Sequence, residues 1–419
     1  MSKQRFNAPR GTKDILPDES AKWQYIENLF RKVAESFGYR EIRTPTFEEA
    51  GLFTRSIGED TDIVSKEMYT FQDKGGRTLA LRPEGTASVV RAYIEHGLYI
   101  NQPFAKFYYI TPLFRYERPQ AGRYREHHQL GVEAIGSKSP YLDAEVIYLA
   151  YRFLELLGIK EKELHLNSVG CPICRPKYIE KLREFLLPHK DELCEDCQRR
   201  LDYNPLRVLD CKRETCQKIT SNVPPIYDFL CDDCANHFSK LQELLSSLGV
   251  SFRLNPRLVR GLDYYTKTAF EIVSTKLGAQ NSVCGGGRYD GLVEELGGPP
   301  IPAVGMGMGV ERVILALGED FPEVKNEMDV FVAFEDEGQR DRAFQLLMQL
   351  REKGLKADMD YLERSLKSQL RQANRIGAKY ALILRQDGAT IVLRDMDKGT
   401  QKEVKLEEAI GELMKDGEA

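Results

Sequence analysis

The stretch "FAKFYYITPLFRYERPQAGRYREHHQLGVEAIG", residues 104–136, constrains the fold of this chain more than any other. Its two ends, "FAKFYYITPLFRYE" and "REHHQLGVEAIG", are strand-like, and Pro119 and Gly122 stand between them where the chain has to reverse. Strands joined by so short a loop lie antiparallel. The loop is densely charged, with Arg115, Arg118, Arg123 and Arg125 beside Glu117. Alternation places Arg115 and Glu117 on one strand face, pointing the same way. A guanidinium fixed there clamps a phosphate with a bidentate fork, and the loop arginines reach a longer polyanion. The plain alternative is a solvated hairpin with surface salt bridges.

The neighbouring segments extend this pattern. "ESAKWQYIENLFRKVAESFGY" has apolar residues at helical spacing, with Asp18 or Ser20 as its cap and Gly38 at its end. "REIRTPTFEE" reads as a short strand with Pro45 at an edge, and "YTFQDKGGRTLALRPEG" as a hairpin across Gly75 and Gly76. Helices are expected from Thr86 to about His96 and near residues 140 to 157, with a strand at "KELHLNSVG". Further strands are expected in "RGLDYYTKTAFEIVS" and "AQNSVCGGGRYDGLVEEL", and "PAVGMGMGVERVILAL" runs from a strand into a helix. Antiparallel strands with interspersed helices predict an α+β fold over residues 1–325, an antiparallel sheet with flanking helices. Residues 169–250, rich in cysteine and charge with helices at 177–187 and 232–247, read as an inserted subdomain. After a linker "ALGEDFPEVKNE", strands "MDVFVAF", "LKADMDY", "YALILR" and "TIVLRD" alternate with helices at about 339–353 and 365–376. That describes a separate α/β domain over 327–419.

Composition closes several other routes. At 42% hydrophobic the 419 residues can bury the cores of two or three domains, and 30% charge with 10% aromatics argues against disorder. No apolar run approaches the ~18 residues of a membrane span, and "MSKQRFNAPRGTKDILPDES" has no secretory core. A soluble, cytoplasmic protein without a membrane partner is expected. A formal charge of −4 gives no global basic field, so contact with nucleic acid has to come from local patches. One such patch is "YLERSLKSQLRQANR", carrying Arg364, Lys367, Arg371 and Arg375.

Eight of the nine cysteines lie between Cys171 and Cys234. Without a secretory signal they read as metal ligands or buried thiols rather than disulfides. Cys171/Cys174, Cys194/Cys197 and Cys231/Cys234 are CxxC pairs, whereas Cys211 and Cys216 are spaced more widely. Together they supply thiolates for two structural tetrahedral zinc sites. Cys284 stands apart and is expected to pack near the site.

Other constellations carry chemistry. In "LALRPEGTASVVRA", Glu84 sits by a helix start, where a carboxylate either caps free N–H groups or meets a substrate ammonium, and Thr86 adds a hydroxyl. "RGLDYY" joins Arg260 to Tyr264 and Tyr265, "CGGGRYDGL" gives backbone that a ligand can approach, and "VGMGMGVER" leads to Arg312. The last is neither a Rossmann nor a P-loop fingerprint.

Taken in order with "PRGTKDILP", "LRPEGTA" and "FRYERPQAGRYREHHQ", these segments resemble the successive motifs of the class II histidyl-tRNA synthetase family. The resemblance runs through "SLKSQLRQANRIGAKYALIL" and covers nearly the whole chain. It implies ATP-dependent attachment of histidine to its tRNA through a histidyl-adenylate, with Mg2+ accompanying ATP. It also implies a homodimer built partly through "PRGTKDILP" and an anticodon-binding last domain, with RNA rather than DNA as the nucleic-acid partner. By the same resemblance Arg115 grips the α-phosphate, Glu117 lies near the adenine, and Arg123 and Arg312 meet the outer phosphates. Glu84, Thr86 and Gln129 hold the histidine ammonium, and Glu133, Tyr264 and Tyr265 read the imidazole. Arg260 meets the α-phosphate and carboxylate, and Gln129 assists transfer. Arg118 and Arg125, with the patch on the last domain, face tRNA. Two rivals stand beside this reading: a synthetase-like regulatory subunit of ATP phosphoribosyltransferase, and a pure RNA-binding protein. The first usually lacks the last domain and the full set of arginines, and the second has no need of Glu84, Glu133 and the glycine run together.

Overall fold

The computed structural model describes residues 6–59, 61–278, 281–322, 328–385 and 391–417. The chain divides into two compact units, Met1–Leu16 with Lys22–Pro322, and Pro17–Ala21 with Glu323–Ala419.

In chain order the first unit carries α1 (Pro17–Ser36, from Lys22 on), β1 (Arg40–Glu41), β2 (Phe47–Glu49), α2 (Ala50–Ile57), β3 (Thr70–Gln72) and β4 (Thr78–Leu81). Then come α3 (Thr86–Glu95), α4 (Leu98–Asn101), β5 (Ala105–Phe114), β6 (Glu126–Ile135), α5 (Pro140–Leu156) and β7 (Lys162–Ser168). A helical stretch follows with α6 (Arg175–Leu186), α7 (Glu195–Tyr203), α8 (Glu214–Thr220) and α9 (Asp232–Ser247). The unit closes with β8 (Phe252–Leu254), β9 (Thr266–Ser274), β10 (Ser282–Arg288), α10 (Leu292–Glu295), β11 (Ala303–Gly309) and α11 (Val310–Leu317).

Eight of these strands form one sheet in the order β1-β5-β6-β11-β10-β9-β7-β8. Its six central strands pair antiparallel, and the edge strands β1 and β8 add in parallel. Alternation divides its faces. Even-numbered positions of β5, β6, β9, β10 and β11, among them Tyr108, Leu130, Val132, Phe270, Ile272, Met306 and Met308, are buried against α1, α5, α9 and α11. Odd-numbered positions face the other way. There α3 and α10 cover one end with Val89, Val90, Tyr93, Leu292 and Val293. The smaller sheet β2-β4-β3 lies apart, its hairpin turning at Gly75 and Gly76 as the sequence predicts.

Two local expectations are corrected. The α1 helix begins on Pro17, without a side-chain cap from Asp18 or Ser20. Proline's fixed φ and absent N–H suit the first helical position, and Asp18 and Glu19 complement the dipole from the first turn. Strand β5 ends at Phe114, so Arg115 and Glu117 are not strand neighbours on one face. The chain turns there, with the Glu117 N–H donating to the Arg115 carbonyl at 2.7 Å. Gly122 sits at φ +70°, the left-handed region the loop requires, and a Cβ there would lie 2.8 Å from Leu315.

The helices α6 to α8 share a small core of their own, built from Tyr178, Leu182, Leu201, Val208 and Ile226 with Cys197, Cys211 and Cys216. By contrast α9 packs Phe238, Leu241 and Leu245 into the main core.

The second unit holds β12 (Met328–Phe334), α12 (Arg340–Glu352), β13 (Ala357–Met359), α13 (Leu366–Arg375), β14 (Ala378–Leu384), β15 (Ile391–Asp395), β16 (Gln401–Val404) and α14 (Leu406–Gly417). Its sheet, β13-β12-β14-β15-β16, is parallel over the first three strands and antiparallel over the rest. Helices α12 and α14 cover one face and α13 the other. The sequence reading lacked β16 and α14, a largely exposed strand and a helix whose apolar face is Leu406, Ala409, Ile410 and Leu413.

Candidate active site

The site-facing row of the main sheet is largely peptide. Across the register Tyr109 pairs with Gly131, Gly131 with Gly307, Gly307 with Gly285 and Gly285 with Glu271. In the next row Glu133 pairs with Gly305, and Gly305 with Gly287. Polar side chains lie flat over these glycines. A Cβ on Gly131 would stand 2.2 Å from the Tyr109 ring, one on Gly305 1.9 Å from a Glu133 oxygen, one on Gly307 2.6 Å from Gln129, and one on Gly285 2.3 Å from Arg260. The glycines serve close approach, and they lay a floor beneath the charged groups.

Glu133 is the centre of one end. It is 1% exposed. Its carboxylate accepts the Thr86 hydroxyl at 2.7 Å, the Tyr109 hydroxyl at 3.0 Å and the Tyr289 hydroxyl. Burial pushes the Glu133 carboxyl up to about 8, against the pull of the Tyr289 and Thr86 hydroxyls. Tyr109 also receives the Gln129 amide N–H at 2.9 Å. Tyr264 stacks edge-on to Tyr289, ring centres 5.6 Å apart, and Tyr265 lies beside it at 4.8 Å. Glu84 is buried, and its two oxygens accept the Thr86 and Ala87 N–H groups at 2.7 Å. It therefore caps α3, the structural role the sequence left open; burial still raises its carboxyl, opposed by those N–H donors.

The other end is cationic. Arg115 donates to the Pro83 carbonyl at 2.8 Å and stands 4.0 Å from Glu117, while Arg123 approaches Glu117 at 3.1 Å. Arg312 donates to the Ser282 carbonyl at 2.7 Å. Burial, then Arg123, pulls its guanidinium below the usual range. Arg260 reaches Glu271 at 3.4 Å and lies near the Tyr265 ring, and its Nε–H is buried without a hydrogen-bond partner. Such an orphaned donor awaits an acceptor. Burial and the neighbouring Arg115 drive the ring of His127 down to about 3, so it stays neutral among the arginines.

The remaining predicted residues are dispersed. Arg118 is exposed on the loop. Arg125 lies flat on the Tyr116 ring at 3.7 Å and donates to the Arg10 carbonyl at 3.4 Å, tying the N-terminal segment to the loop. In the second unit Lys367, Arg371 and Arg375 share the exposed side of α13. Arg364 instead clamps the buried Asp360, its Nε donating at 2.6 Å. Cys284 is on an even position and faces the main core against Met306, beneath the floor and away from the site. Sequence reasoning missed Tyr109, His127 and Tyr289 as site groups, although strict alternation along β6 from Glu133 and Gln129 points to His127; Tyr109 joins them through the β5–β6 register.

The eight clustered cysteines converge as two sets: Cys171, Cys174, Cys231 and Cys234, and Cys194, Cys197, Cys211 and Cys216, each within 4.8 Å. Sulfur separations are 3.7 Å for Cys171–Cys174 and Cys171–Cys231, and 3.9 Å for Cys194–Cys211. Four sulfurs about 2.3 Å from a shared tetrahedral ion stand about 3.8 Å apart. Knuckle N–H groups donate to sulfur, from Ile173 to Cys171 at 3.4 Å and from Cys194 to Cys216 at 3.3 Å. The donor set and spacing fit a structural metal at each site. Beside the first set a cleft of about 920 Å³ is lined by Arg175, Arg183, Arg207, Arg260 and Tyr265.

Comparison with known proteins gives matches over nearly the whole chain. A family model described as histidyl-tRNA synthetase matches residues 11–172 and 214–313, and an anticodon-binding domain model matches 313–416. The histidine–tRNA ligase of Caldanaerobacter subterraneus subsp. tengcongensis is 53% identical over 406 residues, 96% of this chain and 97% of that protein. The apo histidyl-tRNA synthetase structure from S. aureus superposes with a TM-score of 0.83 at 39% identity, covering 98% of this chain and all of that one. A structure from Bacillus halodurans described as an ATP phosphoribosyltransferase regulatory subunit/histidyl-tRNA synthetase shares the fold at 22% identity and a TM-score of 0.66, covering 91% of this chain and 98% of that one.

Proposed function

Because the chain belongs to the histidyl-tRNA synthetase family and attaches histidine to its tRNA through a histidyl-adenylate, we propose that the two ends of the glycine floor divide that chemistry. The apolar, hydroxyl-lined end around Glu133 takes the imidazole, with Tyr264, Tyr265 and Tyr289 as walls. Glu84, Thr86 and Gln129 stand where the ammonium would lie. The arginine end takes Mg2+-bound ATP, with Arg115 on the α-phosphate, Arg123 and Arg312 on the outer phosphates and Glu117 toward the adenine. Arg260 sits between the two ends.

Adenylation brings a carboxylate against the α-phosphorus, and pyrophosphate leaves as the acyl–phosphate bond forms. Both reactants are anionic. Arginines placed beforehand on either side cancel the repulsion and stabilise the charge gathering on the α-phosphoryl oxygens. The histidine carboxylate is ionised at neutral pH, so no general base is needed in this step. Buried Glu133, held by three hydroxyls, is the observation that carries the reading. A site built to satisfy a ring N–H leaves polar groups unpaired when any other side chain enters.

ATP–pyrophosphate exchange, run with each amino acid in turn, tests this directly. Exchange with histidine alone is expected. Exchange with none, from folded protein supplied with magnesium, would return the chain to the regulatory-subunit reading.

We read residues 1–325 as the catalytic part, 169–250 as its insertion and 327–419 as the anticodon-binding part. The tRNA then meets Lys367, Arg371 and Arg375 of α13, exposed Arg118, and the arginine-lined cleft contiguous with the pocket. Arg125 and Arg364 instead serve the fold through the contacts described above. The enzyme acts as a cytoplasmic homodimer in this reading.

The cysteine sets each hold a zinc ion, which would supply a fixed cross-link rather than chemistry. Two zinc equivalents per chain are expected by elemental analysis of protein purified without chelator, one for each set. Less than about half an equivalent after zinc is restored would mean that the thiols are simply buried side chains.

A further inference from the structure

Resting on that zinc reading, we propose that the Cys171–Cys174–Cys231–Cys234 site is a positioning device for the imidazole pocket. Both of its knuckles grip the segment that carries Tyr264 and Tyr265.

The first knuckle works through Arg175, the residue after Cys174. This half-buried guanidinium donates to the Val169 carbonyl at 3.0 Å, to the Gly170 carbonyl at 3.2 Å, and to the carbonyl of Tyr265. The second works through Asp233, which lies between Cys231 and Cys234 and receives Lys267 Nζ at 2.6 Å. Lys267 is held at φ +50°, a left-handed conformation rare for a residue with a side chain. Its N–H and carbonyl are both engaged, at 2.8 Å to the Gly170 carbonyl and 2.7 Å from the Val169 N–H. The start of β9, directly after Tyr265, is thus clasped from both arms of one metal site.

The same helix reaches the other wall. One turn beyond Cys234, His237 meets Asp143 at 3.1 Å and the Thr268 hydroxyl at 3.3 Å. Asp143 in turn pairs with fully buried Arg288, the residue before Tyr289. A metal joining residue 171 to residue 234 therefore fixes α9 and, through it, the backbone on which three tyrosines of the pocket stand. The Cys194–Cys197–Cys211–Cys216 set lies in the separate small core of α6 to α8, and its approach to this segment runs through residues that do not adjoin its cysteines, Asn204 and Arg207, which donate to Asp263 at 3.2 and 3.0 Å.

Arg175 and Asp233 are positioning residues, so the test separates histidine binding from the rest. In full-length protein, Cys231→Ser is expected to lose one of two zinc equivalents and to raise KM for histidine about tenfold. KM for ATP should stay within about twofold. Asp233→Asn, whose carboxylate is 78% exposed and is no metal ligand, keeps both zincs. It is expected to raise KM for histidine about threefold, again sparing ATP. Wild-type protein that holds no zinc and takes up none overturns the zinc reading and this proposal with it. Two zincs in wild type, one in Cys231→Ser, and unchanged KM for histidine in both variants overturn the proposal alone. Should Cys231→Ser fail to fold, Asp233→Asn decides: a KM for histidine equal to wild type is the refuting result.

Discussion

Replacing Arg260 by alanine is expected to lower kcat for histidine-dependent ATP–pyrophosphate exchange on the order of 10³-fold, with KM for either substrate changed only a few-fold. The reason is geometric. Arg260 lies over Gly285 with a buried Nε–H that no protein group accepts, so the folded chain already carries the desolvation cost of that donor. An acceptor appearing in the transition state gains a charge-assisted bond that the ground state does not fully have. Arg260→Lys keeps the charge but loses the planar fork, and recovers only part of the rate. Circular dichroism should show both variants folded, since the contacts at stake among the described residues are a 3.4 Å approach to Glu271 and the Tyr265 ring 5.9 Å away. A kcat within tenfold of wild type would remove Arg260 from the chemistry.

Glu133→Gln is expected to lower kcat/KM for histidine on the order of 10³-fold, because in the proposed pocket an amide cannot share its proton with the imidazole as the buried carboxyl does. KM for ATP stays put. The same residue sets two pH dependences. Its folded-state carboxyl titrates at about 8 against an ordinary value of 4.5. The folded chain therefore keeps a proton that the unfolded chain has already lost, and stability without histidine falls as pH rises through that window. At 1.36 kcal/mol per unit the loss is on the order of 3–5 kcal/mol. The glutamine variant cannot titrate, so it should match wild type near pH 5 and melt higher near pH 9. Wild-type and variant melting curves that stay parallel across that range would refute the burial argument. Binding weakens in the same direction, but in a higher pH window. Between the ordinary imidazole value and about 8 the pocket and the ring share one proton, and KM for histidine is level. Above about 8 that proton must be drawn from solvent, and KM rises about tenfold per pH unit. A KM that falls above pH 8 would mean that the carboxylate accepts a neutral ring without a proton of its own.

Strand alternation made much of this legible. Residues 126 to 135 form the predicted strand, and Gln129 and Glu133 fall on one face because two and four are even steps. The CxxC pairs likewise announced that thiols would gather, though not which pairs would meet: Cys171/Cys174 joins Cys231/Cys234 across sixty residues, a matter of tertiary closure alone. Other features depend on what alternation cannot carry. The reading extended β5 into Arg115 and Glu117, where the chain in fact turns. Cys284 sat next to the glycine run, yet one step along a strand is one step to the opposite face. Tyr289 is invisible as a ligand of Glu133 from sequence, since the two are brought together only by the register of β6, β11 and β10. Arg364 looked like part of a basic helix, but a carboxylate four residues earlier holds it.

The peptide floor has a consequence for what this architecture can become. Gly131, Gly285, Gly305 and Gly307 leave no atom below the ligand that a substitution could trim. Any change there adds bulk and shallows the cup; none can deepen it. A variant that accepts a larger amino acid has to find its room sideways, at Thr86, Tyr109, Tyr264 or Tyr289, and each of those also supports the carboxylate or a neighbouring wall. Widening the pocket and unsettling its charge are therefore the same event, and fidelity toward bulkier rivals is written into the backbone.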